Sequence, residues 1–145
     1  MLIQDHQVDL NTPTGLMRCY VYRPKEMSDT AGKKFPAIIL YSEIFQQTTP
    51  IRRSAQIMAG HGFIVIVPEV FHELNPIGTV LGYDDAGRDK GNADKVAKTL
   101  EAHDTDTQAM IDYVQTLEYY SGKIGAMGFC LGGGLAYRAA INPAI

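Results

Sequence analysis

Three short, almost wholly apolar segments most constrain what this chain can fold into. They read FPAIILYSE (residues 35–43), FIVIVPEV (63–70) and GKIGAMGFC (122–130). Apolar runs of this length are typical of strands that are covered on both faces. Because helical patterns separate the three segments, we expect an α/β fold. Its sheet should be mostly parallel, with helices on both faces.

The segments between these strands show the spacing of amphipathic helices. Apolar residues recur every three or four positions, which predicts helices over residues 51–60, 93–117 and 131–141. Two alternating runs around a turn-like NTPTG predict an antiparallel hairpin over residues 2–23. Residues 71–92 contain Pro and several glycines and are predicted to form a long loop, often a functional element in compact domains.

Composition narrows the class of protein. With 145 residues, 46% of them hydrophobic and 20% charged, the chain can bury the core of one domain. A net charge of −3 argues against a general nucleic-acid binder, which needs a basic face. No apolar run approaches the roughly 20 residues that span a bilayer, and the N-terminus lacks a signal-peptide pattern. We therefore expect a cytoplasmic protein with no membrane partner.

Cysteine usage directs attention to one position. The only two cysteines, Cys19 and Cys130, form neither a disulfide framework nor a zinc cluster, and no metal or organic cofactor is predicted. Cys130 lies in GFCLGG (residues 128–133), which has the form of the nucleophile elbow G-x-S-x-G with cysteine in place of serine. Glycines at 128 and 132 let a strand turn sharply into a helix, which holds the thiol at a strained corner.

The helix start gives this corner its chemistry. Backbone N–H groups and the positive end of the helix dipole stabilise a thiolate at Cys130, and the N–H of Leu131 can stabilise an oxyanion. Two other interpretations stay open. One is a buried structural cysteine in a glycine-rich packing site. The other is a phosphate-binding dinucleotide loop, although the chain places Cys130 where that motif needs its middle glycine.

Three segments, in order and spacing, resemble the dienelactone hydrolase family of α/β-hydrolases. They are YSEIFQ (41–46), VPEVF (67–71) and MGFCLGGGLA (127–136). The resemblance implies that Cys130 is the nucleophile and that Glu43 contacts the thiol and helps to deprotonate it. It also implies an oxyanion hole formed by the N–H groups of Leu131 and Ile44. The family hydrolyses enol lactones such as carboxymethylenebutenolide, so the implied ligand is a small lactone or ester.

Other candidate residues surround this centre. Glu43 ends an apolar strand at the edge where α/β proteins bind ligands, and beside a thiolate it would share one proton with Cys130. An exposed or helix-capping acid is the alternative. By resemblance, Arg88 in the long loop would bind a substrate carboxylate, with a solvated loop arginine as the alternative. Tyr83 would line the pocket. We expect the four histidines and Cys19 to be structural.

No candidate base follows the cysteine. Residues 131–145 contain no Asp, Glu or His, whereas α/β-hydrolases place the acid and histidine after the nucleophile. We therefore expect residues 1–145 to be the N-terminal portion of one α/β-hydrolase domain, monomeric when full length. Alternatives are a catalytically incomplete domain that binds a small acid or a protein, and a redox-sensing thiol protein.

Overall fold

A computed structural model describes residues 1–145, which form five strands and four helices. The strands are β1 (Ile3–Thr12), β2 (Gly15–Pro24), β3 (Phe35–Tyr41), β4 (Ile64–Pro68) and β5 (Tyr120–Gly128). The helices are α1 (Thr49–Gly60), α2 (Asp85–Ala97), α3 (Leu100–Gln115) and α4 (Leu131–Ala139).

All five strands belong to one sheet in the order β1-β2-β4-β3-β5. The pairs β3/β4 and β3/β5 are parallel, whereas β1/β2 and β2/β4 are antiparallel. The α/β class and the N-terminal hairpin are therefore confirmed, within a sheet that is mixed. β3 lies between two parallel neighbours, and β5 forms one edge of the sheet.

Helices cover both faces of this sheet. On one face, α3 and α4 close the larger core, in which Ile39, Ile66, Met110 and Leu135 are buried. On the other face, α1 packs against Leu40 and the neighbouring strands. Alternate residues of β3 therefore enter different cores, because successive side chains of a strand point to opposite faces. This double burial explains why the strand segment is apolar throughout.

The prediction for residues 71–117 is wrong in one respect. Instead of a loop to residue 92 and one long helix, the chain forms α2 from Asp85 and a separate α3 from Leu100. Asp84 caps α2 by accepting a hydrogen bond from Gly87 N at 2.8 Å. Lys98 is extended (ψ 131°), and the Thr99 side chain caps α3, so the two helices cannot be continuous.

The sequence did not predict the N-terminal part of α2, because its glycines lower the helix propensity of the segment. Tertiary contact explains its presence. A Cβ at Gly91 would lie 2.7 Å from the Ile44 carbonyl oxygen, and one at Gly87 would lie 2.9 Å from the carbonyl carbon of Gly82. Only glycine permits α2 to approach both loops this closely.

None of the four helices has the combined length and hydropathy of a bilayer-spanning segment.

Candidate active site

The site lies where two neighbouring strands end. Tyr41, the last residue of β3, pairs with Gly128, the last residue of β5. Glu43 and Cys130 each follow two residues later, on adjacent chain segments at the carboxyl edge of the parallel strands. This is the edge at which α/β sheets bind ligands. The structure thus brings the loops of the two principal sequence candidates side by side.

Residues 128–133, here called the Cys130 corner, turn β5 into α4. Cys130 has φ 53°, a positive value that residues other than glycine rarely adopt. A Cβ at Gly128 would lie 2.8 Å from the Cα of Gly132, and a Cβ at Gly132 would lie 2.6 Å from the Ser42 carbonyl oxygen. The glycines are therefore required for α4 to pack against the ends of β5 and β3, as the sequence predicted.

The corner leaves polar groups available. Cys130 is exposed and is the N-terminal cap residue of α4. Its carbonyl oxygen accepts from Gly133 N at 3.0 Å, which continues the helix. The N–H groups of Leu131 and Ile44 donate no hydrogen bond within the chain. A backbone N–H group without a partner can donate to a developing oxyanion that forms in front of it.

Glu43 has a specific polar neighbour. The Tyr83 hydroxyl lies 3.2 Å from Glu43 Oε2 and 2.8 Å from Thr48 Oγ1. Its single proton can serve only one of these acceptors at a time. The Tyr83 ring packs on Phe45 with the ring centroids 4.7 Å apart. Tyr83 therefore joins the loop before α2 to the loop after β3. Sequence reasoning did not single out Thr48, which carries no local signal.

Arg88, predicted to lie in a loop, is instead at the end of the first turn of α2. Its guanidinium nitrogens lie 3.1 Å from Asp85 Oδ1 and 3.2 Å from Asp89 Oδ1, and its side chain is 56% exposed. Its recorded ion pairs are with these two carboxylates. A substrate carboxylate would have to compete with both of them for Arg88.

A buried ionic cluster lies where the loop after β4 meets α3. Lys98 Nζ donates to Val70 O at 2.7 Å, to Glu73 Oε2 at 2.9 Å and to Asp106 Oδ2. His72 Nε2 lies 3.0 Å from Asp106 Oδ1, and the side chains of His72 and Lys98 are fully buried. The cluster fixes the start of the loop after β4 to the junction of α2 and α3.

This cluster resembles a metal site in its choice of ligands. One ligand atom each from His72, Glu73 and Asp106 lies within 4.8 Å of the others. The ammonium of Lys98, however, already bonds both carboxylates and supplies the positive charge that they require. Sequence reasoning treated His72 as structural and gave it no partner. The sequence does contain one indication of a buried partner, because Asp106 lies on the same face of α3 as buried Met110 and Val114.

The remaining titratable candidates lie in structural positions. Cys19 is fully buried, and burial raises the pKa of its thiol well above the usual value. His6 Nε2 lies 2.9 Å from the Tyr113 hydroxyl. Burial, followed by the charge of Lys98, lowers the pKa of His103 to about 4. Cys19 and His103 are therefore buried, whereas His6 is exposed.

Comparison with known proteins assigns the chain to a family. Residues 17–144 match the dienelactone hydrolase family. A Saccharomyces cerevisiae protein named "Putative carboxymethylenebutenolidase" is 42% identical over 148 residues, which cover 100% of this chain and 53% of that protein. The carboxymethylenebutenolidase of Pseudomonas putida is 33% identical over 107 residues, covering 72% of this chain and 44% of the relative.

Solved structures agree on the fold. A Klebsiella pneumoniae protein described as "Putative Dienelactone Hydrolase" superposes with a TM-score of 0.78 at 20% identity. The match covers 98% of this chain and 56% of that protein. The chain therefore spans about half the length of the relatives that it matches.

Proposed function

Because this chain belongs to the dienelactone hydrolase family, we propose that it carries the nucleophile of a hydrolase that cleaves lactone or ester bonds. The observation that carries the proposal is the Cys130 corner. Its exposed thiol belongs to a residue with positive φ at the start of α4, at the carboxyl edge of the parallel strands. Strained residues of this kind cluster at active sites.

In the proposed reaction, the Cys130 thiolate attacks the carbonyl carbon. A new C–S bond forms, and the carbonyl π electrons move to oxygen. The free N–H groups of Leu131 and Ile44 stabilise this oxyanion. When the oxyanion collapses, the C–O bond to the alcohol or enol breaks, and the leaving oxygen takes up the proton that Glu43 received from the thiol. Water then hydrolyses the thioester and restores the thiol.

Glu43 is proposed to receive the thiol proton before attack. Its position on the segment adjacent to Cys130 supports this role. The Tyr83 hydroxyl, 3.2 Å from Glu43 Oε2, is proposed to orient the side chain. In this proposal Tyr83 has two tasks, since it also forms part of the substrate-binding surface. Arg88 is proposed to bind a substrate that bears a carboxylate, in competition with Asp85 and Asp89.

The base that activates water is proposed to come from outside residues 1–145. Two of the four histidines are buried with charged neighbours: His72 lies against Asp106, and His103 lies near Lys98. His6 bonds Tyr113, and His61 caps the far end of α1. The outer edge of β5 pairs with no strand in this chain and could accept another strand.

The two free thiols fit a reducing compartment such as the cytoplasm.

A burst experiment tests the nucleophile without requiring full turnover. With p-nitrophenyl acetate, the chain should release about one equivalent of p-nitrophenol per molecule as Cys130 becomes acylated. The variant Cys130→Ser should lose the burst, whereas Cys19→Ala should retain it, because Cys19 is inaccessible. A full burst from Cys130→Ser would refute the proposal.

A further inference from the structure

Only two residues other than glycine have a positive φ in this structure, Cys130 at 53° and Gln46 at 70°. The first is at the corner already described. The second lies in the loop after β3, on the segment adjacent to that corner. Left-handed conformations at non-glycine residues persist where surrounding contacts impose them, and they concentrate at functional sites. Gln46 is therefore the second candidate for a residue whose strained conformation serves this site.

The side chain of Gln46 is held inside the protein. The residue is 1% exposed, and its Oε1 accepts a long hydrogen bond from Phe71 N at 3.5 Å. Its Nε2 is buried and has no partner. The amide of Gln46 thus connects the loop after β3 to the loop after β4. Its buried position is maintained although one of its polar groups is unsatisfied, a rare situation in folded proteins.

The backbone of Gln46 shapes the loop that carries Ile44. Its carbonyl oxygen accepts from Thr48 N at 2.9 Å, which closes a tight turn just before α1. On the other side of the turn, Phe45 O accepts from Leu81 N at 3.1 Å. Ile44, whose N–H is free, lies two residues before the turn. The loop that carries this N–H is thus fixed on its C-terminal side by the positive φ of Gln46 and by these two hydrogen bonds.

We propose that Gln46 is a positioning residue that orients the Ile44 N–H toward the acyl oxygen of a substrate bound at Cys130. This inference rests on the proposed function. The left-handed turn sets the path of the loop, and the buried amide holds the turn against the Phe71 segment. Removing the amide should leave Cys130 and its corner intact while the Ile44 donor becomes mobile.

Two reactions of Cys130 separate this role from a general structural one. Acylation by p-nitrophenyl acetate develops an oxyanion, whereas alkylation by iodoacetamide displaces iodide and develops none. The variants are Gln46→Gly and Gln46→Asn, because both residues tolerate a positive φ and neither can reach Phe71 N. Gln47→Ala is the matched control. Gln47 is also buried in this loop, but its Nε2 donates to the Tyr22 hydroxyl at 2.8 Å.

Both Gln46 variants should lower the rate of acylation relative to alkylation by about tenfold or more, as loss of an oxyanion donor does. Gln47→Ala should leave that ratio unchanged. If both Gln46 variants keep the wild-type ratio, Gln46 has no positioning role. A separate outcome would refute the proposed function itself. It is that the ratio of acylation rate to alkylation rate for wild-type Cys130 is no higher than the same ratio for free cysteine. This inference would then fail as well. Thermal denaturation and alkylation rates identify any variant that has not folded. In that case the ratio measured for the other Gln46 variant tests the positioning role.

Discussion

Gly132 in α4 lies against the end of β3 so closely that a methyl group on its Cα would overlap the Tyr41 carbonyl oxygen and come within 2.6 Å of that of Ser42. This contact is backbone to backbone, so no side-chain rotation can relieve it. It joins the helix that begins at Cys130 to the segment that carries Glu43. The relative placement of Cys130 and Glu43 therefore depends on the absence of a side chain at Gly132.

Gly132→Ala should destabilise the protein by roughly 2 kcal/mol or more, because the new methyl group must push α4 away from β3. Gly134→Ala is the matched control in the same helix. A Cβ there meets nothing within 4 Å, so the change should stabilise the helix by up to about 1 kcal/mol. Urea denaturation measures both values. Equal effects of the two substitutions would show that the close contact is not rigid.

Tyr83→Phe should lower the rate at which Cys130 is acylated by about three- to tenfold, because the Tyr83 hydroxyl holds the Glu43 side chain and the loop around it in place. The free energy of unfolding should change by no more than about 1 kcal/mol. Tyr137→Phe serves as the control, since Tyr137 is 85% exposed. A rate equal to that of the wild type in Tyr83→Phe would remove Tyr83 from the site.

Lys98→Met should destabilise the protein by about 3–5 kcal/mol, because the buried carboxylates of Asp106 and Glu73 lose their cation. Lys95→Met removes the same charge from an exposed position on α2 and should change stability by no more than about 0.5 kcal/mol. The free energies of unfolding in urea provide the comparison. Similar values for the two variants would mean that the cluster does not hold the loop after β4.

Acid should destabilise the protein partly through His103. Burial and Lys98 lower its pKa to about 4 in the folded state, whereas the unfolded chain takes up this proton near pH 6.5. The unfolded state therefore binds more protons between these values, and stability should fall as the pH drops from about 6.5 to 4. After allowance for solvent screening, the contribution is about 1–2 kcal/mol.

His103→Gln isolates that contribution. In this variant the loss of stability between pH 7 and pH 4.5 should be smaller than in the wild-type protein, because the other titrating groups are retained. Urea midpoints at the two pH values measure the difference. A parallel loss in both proteins would show that His103 titrates normally.

The predictions that succeeded depend on local patterns. The β3 and β4 segments are apolar throughout because both faces of each strand are covered, and this pattern is visible without the fold. The glycine spacing around Cys130 likewise reports a tight strand-to-helix turn. Both features are determined by neighbours within a few residues, so the sequence contains them directly.

The features that were missed depend on distant partners. α2 contains Gly87 and Gly91 and resembles a loop until the packing against Ile44 is known. Lys98 and His72 are 26 residues apart in sequence, and only the packing of α3 brings Asp106 between them. No local rule predicts a left-handed conformation for Gln46, since glutamine has no preference for it.

The most direct test of the central claim is to identify the residue that becomes acylated. After brief reaction with p-nitrophenyl acetate and acid quenching, peptide mass mapping should find one acetyl group, as a thioester on the peptide that contains Cys130. Cys19 should remain unmodified until the protein is denatured. If the acetyl group is found elsewhere while Cys130 remains free, Cys130 is not the nucleophile, and the proposed site is wrong.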